Sequence, residues 1–391
     1  MIFEAQLMDA DPEGERRVLH ECLEQALLAE ELGFDRIWAV EHHALVQYAH
    51  MSAPEIFLSF VAARTSRIRI GHGVVCVPFR YNHPVRVAER AATLDILSGG
   101  RVDVGVGRGA TPRETGTFGI EAEETQPQLE DSLRMLPGIW TNKEFSYQSD
   151  LIEMPLREIV PKPLQSPHPP LFMACTKEST LNLAGKLGVG ALALGFAGPD
   201  DIAEKNKVYR AAVAERDPAD VVGSFPVDHF SALCPAIVLD DDDLAREIGF
   251  RGQRFFRESL NQWARDAPAP DPADYSGDNE AEIRRTREDL ELQFGSEVVQ
   301  MEDPTMMRDA EQKAGLHLVR TDQAYGDVDH CIQQVQRLAD AGADEIMFLI
   351  QMGTVPQEVC LETIRNIGYH VIPHFRDGSS GPSRGSGVGV A

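Results

Sequence analysis

The sequence predicts an α/β fold, a single (β/α)8 TIM barrel in which eight parallel strands alternate with helices. Three observations carry that expectation. A helix-like segment ends at a glycine and an apolar strand begins almost at once in EELGFDRIWAV, in GKLGVGALAL and in DAGADEIMFLI. Gly33, Gly188 and Gly342 stand at those joints, where a helix ends in a left-handed residue that glycine adopts most easily. Eight strand-like runs can be counted, and helical periodicity fills most of the gaps between them. A doubly wound open sheet is the structural alternative.

The first strand is read over Ile2–Leu7. The helical segment after it, Arg16 to Leu32, puts Leu19, Leu23, Ala26 and Leu27 on one stripe, with Arg17, Glu21, Glu24 and Glu31 largely off it. Arg36–Val40 and Ile68–Val77 are the second and third strands. Pro84 opens a helix, because the first helical position needs no N–H; Gly99 and Gly100 close it. In the fourth strand, Val102–Gly107, Val102, Val104 and Val106 alternate with smaller or polar residues. Glu144 to Gln165 reads as a short extended excursion before the fifth strand, Leu171–Cys175. Ala191–Leu194, Ala232–Leu239 and Glu345–Ile350 complete the set. The expected organisation is one barrel domain over residues 1–375, with a long charged insertion late in the barrel, 264–327, read as a lid, and a flexible tail, 376–391.

Composition bounds the function. Of 391 residues, 43% are hydrophobic and 25% charged, as in an ordinary globular protein large enough to bury its own core. Sixty-two acidic against 37 basic residues give a formal charge of −25, which argues against nucleic acid or an anionic membrane as a partner. Six cysteines lie scattered with no CxxC pair, several in apolar runs, which fits buried free thiols in a reducing cytosol. The amino terminus has no basic region followed by an apolar core, and no apolar run reaches membrane-spanning length, so a cytoplasmic protein is expected.

Barrel active sites lie at the carboxyl ends of the strands, so polar residues there form the short list. Glu41, His42 and His43 follow strand two. A metal site is one reading, but adjacent side chains diverge and no HExxH spacing follows, so no metal is expected. A single functional imidazole and a pair of histidines satisfied by loop backbone remain open. His72 lies inside the third strand, and Phe79, Arg80 and Tyr81 follow it. GVGRGA fails the dinucleotide fingerprint, since Ala110 stands where the third glycine belongs. Its glycines permit close approach of a ligand, and Arg108 offers a forked donor for phosphate or carboxylate; a solvated surface arginine is the alternative. CTKESTLNLAG is a helix start rich in hydroxyls, read either as an anion site, with Ser179 and Thr180, or as ordinary capping by Thr176. Arg108 and this helix start follow consecutive strands, so both can reach one phosphate.

In order, GFDRIWAVEHH, RIRIGHGVVCVPFRYNHPVRVAERAATLDILSGGRVDVGVGRG and PPLFMACTKESTLNLAGKLG resemble the bacterial luciferase-like flavin monooxygenases. The resemblance runs to about residue 375 and is dense up to about residue 190. It implies a TIM barrel that binds reduced FMN at its strand ends and activates dioxygen. The catalytic role falls on His42, and the phosphate on Arg108, the Lys177 backbone, Ser179 and Thr180. A cis peptide under the flavin ring falls on Gly73–Val74, and Glu41, Met173 and Thr176 join the cofactor contacts. The family implies reduced FMN from a separate reductase, a small and largely apolar substrate, and a homodimer. Two departures stand out. Gly107 replaces a reactive cysteine, which puts light emission in doubt, and Thr176-Lys177 replaces a Glu-Ser. The deazaflavin-dependent branch usually carries Ser-Asp-His where this chain has Glu-His-His, which favours FMN. A deazaflavin oxidoreductase and a non-catalytic flavin-binding subunit are the competing expectations.

Overall fold

The computed structural model describes residues 1–265, 267–275 and 323–377. In chain order the strands are β1 (Ile2–Phe3), β2 (Arg36–Ala39), β3 (Arg69–Cys76), β4 (Val102–Gly107), β5 (Phe145–Gln148), β6 (Glu153–Arg157), β7 (Leu171–Cys175), β8 (Gly190–Ala193), β9 (Phe230–Val238), β10 (Ala324–Gly326) and β11 (Glu345–Leu349). The helices are α1 (Pro12–Glu31), α2 (Pro54–Arg64), α3 (Pro84–Ser98), α4 (Pro112–Thr117), α5 (Ala122–Thr141), α6 (Glu178–Leu187), α7 (Pro199–Ala214), α8 (Asp242–Arg265), α9 (Val328–Asp340), α10 (Gln357–Asn366) and α11 (Ile372–Asp377).

Parallel pairing runs β1-β2-β3-β4-β7-β8-β9, and β11 adds to the other side of β9. These are the eight expected strands, in barrel order. The excursion before the fifth strand is the antiparallel hairpin β5–β6. A ninth strand was not expected: β10 lies inside the segment read as a lid and pairs with the last three residues of β9, beyond the reach of β11. Three residues are too few for periodicity to register. The start of the expected lid departs from the reading: residues 264 and 265 end helix α8, and Pro272–Tyr275 form a short 3-10 turn. Arg376 and Asp377, expected in the flexible tail, end α11. The remaining lid and tail residues, 266, 276–322 and 378–391, lie outside the described residues.

The barrel seam closes through side chains. The Gln6 N–H donates to Gln351 Oε1 at 2.9 Å, Gln351 Nε2 donates to the Gln6 carbonyl at 2.7 Å, and the Gly353 N–H donates to Gln6 Oε1 at 2.7 Å. β1 is shorter than its apolar run because Ala5 takes φ 53°, a left-handed conformation that turns the chain out of the ladder.

The interior is filled from the amino-terminal end. Trp38 is fully buried, packs edge-on against Phe172 at 5.1 Å and lies under the Arg36 guanidinium. Glycine is required opposite it: a Cβ on Gly73 would come within 2.8 Å of Trp38 Cβ. Below the ring, Arg36 pairs with Asp103 at 2.7 Å and with Glu345 at 2.6 Å, and Glu345 also receives Trp38 Nε1 at 3.0 Å. Burial opposes the charge on Glu345, but His229 and Arg36 outweigh it and hold this carboxyl well below the usual range. Truncating Trp38 to alanine would cost about 3–5 kcal/mol. This plug leaves the opposite end, where every strand points its carboxyl terminus, as the mouth.

Helix ends follow the sequence signals. Gly99 and Gly188 close α3 and α6 with φ 74° and φ 70°. Pro84 opens α3 behind the His83 cap. α1 begins at Pro12, four residues before the expected start at Arg16, because Asp11 caps Gly14 N–H at 2.6 Å.

Candidate active site at the barrel mouth

Two adjacent histidines leave β2 and diverge. His42 Nδ1 lies 2.9 Å from Glu114 Oε1, and its Nε2 lies 3.7 Å from Glu4 Oε2. His43 Nε2 lies 2.9 Å from Glu41 Oε1 and its ring stacks on Tyr81. Ala44, next in the chain, is held at φ 58°, so the loop that follows the two histidines carries left-handed strain of about 1–2 kcal/mol.

Glu114 was not legible as a site residue. Its one sequence signal is the capping box Thr111-x-x-Glu114 at the start of α4. The side chain does that work and more. Oε2 accepts from the Thr111 N–H at 2.9 Å and the Ala110 N–H at 3.1 Å, while Oε1 meets His42. It is fully buried. Burial would raise its pKa, but the hydrogen bond and charge of His42 outweigh that and lower it. Burial likewise disfavours the His42 imidazolium, yet Glu114, then Glu4 and Glu41, outweigh it and raise His42 to about 8. Glu4, the residue after β1, was also missed. It looked like a strand residue.

Glu41 does not face the mouth as His42 does. Oε2 accepts the Cys76 N–H at 2.8 Å and Oε1 accepts Asn82 Nδ2 at 2.8 Å, and Arg90 in turn donates to Asn82 Oδ1. Glu41 therefore ties the ends of β2 and β3 together. Between those ends, the Gly73–Val74 peptide is cis and the ladder to β4 slips between His72 and Val75. Gly107 is needed across from this bulge, because a Cβ there would lie 2.3 Å from Val74 Cγ2. His72, on the alternate side of β3, is buried and its pKa is lowered by burial. Met173 likewise falls outside the mouth. It alternates with the inward Phe172 and shares its side of β7 with Cys175, whose Sγ contacts the Thr180 carbonyl of α6.

Arg108, just past β4, is half-buried, and its side chain makes one hydrogen bond among the described residues, a long 3.4 Å to Thr125 Oγ1. β4 and β7 are neighbours, with Val106 opposite Met173, so Arg108 and the residues after β7 share one stretch of rim. Thr176, Lys177 and Ser179 are exposed there. Thr180 is not: its hydroxyl donates to the Lys177 carbonyl at 2.8 Å and accepts the Lys177 N–H at 3.2 Å. It closes the turn that opens α6, which leaves Lys177, Ser179 and the first N–H groups of α6 for an anion.

These features fit a flavin. A phosphate matches the cation and free donors between β4 and α6, and the irregular stretch of β3 at the cis Gly73–Val74 peptide lies beside the end of β4. The buried Tyr81 hydroxyl at this rim has no hydrogen-bond partner among the described residues, and Tyr81 packs on Phe118. Among the described residues no cluster of three His, Cys, Asp or Glu side chains is arranged to hold a metal, and no helix is long and apolar enough to cross a membrane. A shallow groove formed by α9 and the last helical turns lies on the outer layer, and no strand-end residue lines it.

Comparison with known proteins agrees with this geometry. The chain is 34% identical over 175 residues to a 4-hydroxyprotoasukamycin monooxygenase of Streptomyces nodosus subsp. asukaensis, covering 44% of this chain and 46% of that protein. It is 30% identical over 190 residues to an F420-dependent glucose-6-phosphate dehydrogenase of Amycolatopsis mediterranei, covering 47% and 56%. The alignments span about half the length of these curated relatives. The oxygenating constituent of 3,6-diketocamphane monooxygenase of Pseudomonas putida, solved with FMN, superposes with a TM-score of 0.66 at 17% identity over 95% of this chain and 97% of that one, a likeness of fold. The model of the luciferase-like monooxygenases matches residues 2–345, nearly the whole barrel. The chain therefore belongs to the luciferase-like monooxygenase family.

Proposed function

We propose that this chain is the oxygenase component of a two-component monooxygenase. It would take reduced FMN from a separate reductase and insert one atom of dioxygen into a small, largely apolar organic molecule such as an aldehyde or ketone. The observation that carries the reading is His42, presented at a barrel mouth with Nδ1 fixed by a buried carboxylate. Bound reduced flavin supplies the electrons that activate dioxygen.

The remaining work belongs to the chain. Arg108, Lys177, Ser179 and the α6 amino terminus hold the phosphate. The irregular stretch of β3 at Gly73 and Val74, beside the end of β4, supports the flat ring. His42, poised near neutral pH, donates or accepts the proton that oxygen chemistry requires. Val75, Phe79, Tyr81 and Phe118 form an apolar side that keeps water away. The family's dimers support a homodimer here.

A deazaflavin-dependent oxidoreductase is the second reading, favoured by the glucose-6-phosphate dehydrogenase relative. The two separate in one experiment. The protein is mixed anaerobically with reduced FMN, then rapidly with oxygenated buffer, while near-ultraviolet absorbance is followed. A long-lived transient that free reduced FMN does not give is the expected result. Immediate reoxidation, indistinguishable from free flavin, overturns the FMN reading and directs the search to hydride transfer without oxygen uptake.

A further inference from the structure

His42 is flanked on both ring nitrogens. Glu114 takes Nδ1 through a direct hydrogen bond, and that carboxylate also accepts from the Ala110 and Thr111 N–H groups and the Thr111 hydroxyl. At the other nitrogen, Glu4 Oε2 lies 3.7 Å from Nε2, is buried, and has no hydrogen-bond partner among the described residues. A lone carboxylate in such a place costs several kcal/mol unless it is protonated or faces a cation. An apolar residue would pack there at no such cost. The chain places this carboxyl at a built position: β1 ends one residue earlier, and Ala5 is held at φ 53° immediately after it.

We propose that Glu4 is a positioning residue of this site, whose carboxyl faces His42 Nε2 from 3.7 Å so that the two groups titrate as one pair and exchange a proton when they close to hydrogen-bond distance. The inference rests on the reading of His42 as the proton-handling group. The exchange is balanced. A proton leaving Oε2 bonds to Nε2 and turns carboxylic acid plus imidazole into carboxylate plus imidazolium, with no change in net charge. Glu114, already ionised and bonded at Nδ1, fixes which nitrogen takes part. Glu41, turned away to His43, Cys76 and Asn82, still adds negative charge near the imidazole, and the Tyr48 ring stands edge-on to His42 at 5.1 Å, its hydroxyl pushed up by burial and so neutral. Burial raises Glu4 to about 7, against His42 at about 8, so the two groups titrate as a coupled pair. The pair can thus give or take a proton at the mouth without placing an unbalanced charge in a dry site.

The test needs neither cofactor nor substrate. Protein labelled with nitrogen-15 in its histidine rings is titrated by NMR from about pH 5 to pH 10, a span that brackets both groups. The His42 signals are assigned by their loss in His42→Gln. In the unmodified protein, Nε2 should follow a two-step curve. In Glu4→Gln, which keeps the shape, it should follow a single step about one unit lower, a tenfold change in proton affinity. Glu4→Asp, which keeps the charge, should retain the upper step if the glutamine variant is poorly folded. An Nε2 curve unchanged by Glu4→Gln overturns the proposal, and where the glutamine variant is poorly folded, loss of the upper step in Glu4→Asp overturns it. Because this readout involves no flavin, its failure is distinct from failure of the monooxygenase reading, which the oxygen-mixing experiment decides.

Discussion

Glu114 Oε1 accepts from His42 Nδ1 at 2.9 Å while Oε2 of the same carboxylate caps the helix after β4. One buried side chain therefore fixes both a helix terminus and the imidazole that the resemblance singled out. Its loss is expected to be felt as stability and as proton affinity together.

Glu114→Gln should destabilise the fold by about 2–3 kcal/mol, since a charge-assisted bond is lost and an amide N–H₂ is turned toward a backbone donor. It should also lower the His42 pKa. Denaturant unfolding and histidine NMR check the two effects. Unchanged values in both would remove Glu114 from the site.

The pH dependence of stability has a definite sign. The folded pKa of His42 is raised from 6.5 to about 8, so its contribution is complete below 6.5 and disappears as pH rises through 8. That loss is about 2 kcal/mol. Glu4, raised from 4.5 to about 7, acts in the same direction over a lower window. Unfolding curves at pH 6 and pH 9, in the wild type and in His42→Gln, should show a larger fall in stability in the wild type, the part left in the variant being that of Glu4.

His42→Ala is expected to reduce product yield per reduced flavin far more than it reduces flavin affinity. Single-turnover oxygenation, with hydrogen peroxide measured alongside, separates the two. Equal yield would remove His42 from the chemistry.

Arg108→Ala should weaken FMN binding by about 1.5–3 kcal/mol, the scale of a charge-assisted hydrogen bond. Fluorescence titration reads this directly, and unchanged affinity would place the phosphate elsewhere.

Gly107→Cys would install the residue that luciferases carry at this position. Here a Cβ meets Val74 Cγ2 at 2.3 Å, so overpacking by about 1–3 kcal/mol is expected, together with weaker FMN binding. A lowered melting temperature with unchanged FMN affinity would show that the bulge does not touch the cofactor.

The barrel was legible in residue order because its signals are local. Gly33, Gly99, Gly188 and Gly342 all take positive φ at the helix ends where the chain pattern put them. Strand periodicity and helix stops need only neighbours a few residues apart. His42 and Arg108 were nameable because they follow strands, and strand ends in a parallel barrel share one rim. Glu4 and Glu114 were not, since they lie 38 and 72 positions from His42 along the chain, and nothing local marks a carboxylate as facing an imidazole across the mouth. Thr180 shows the same boundary from the other side: a hydroxyl at a helix start reads equally as ligand or cap, and only the folded turn commits it to the Lys177 backbone. Local sequence sets which conformations each segment can adopt. Which side chains then share a proton or a cofactor depends on distances across the closed barrel, and those exist only once the strands have paired.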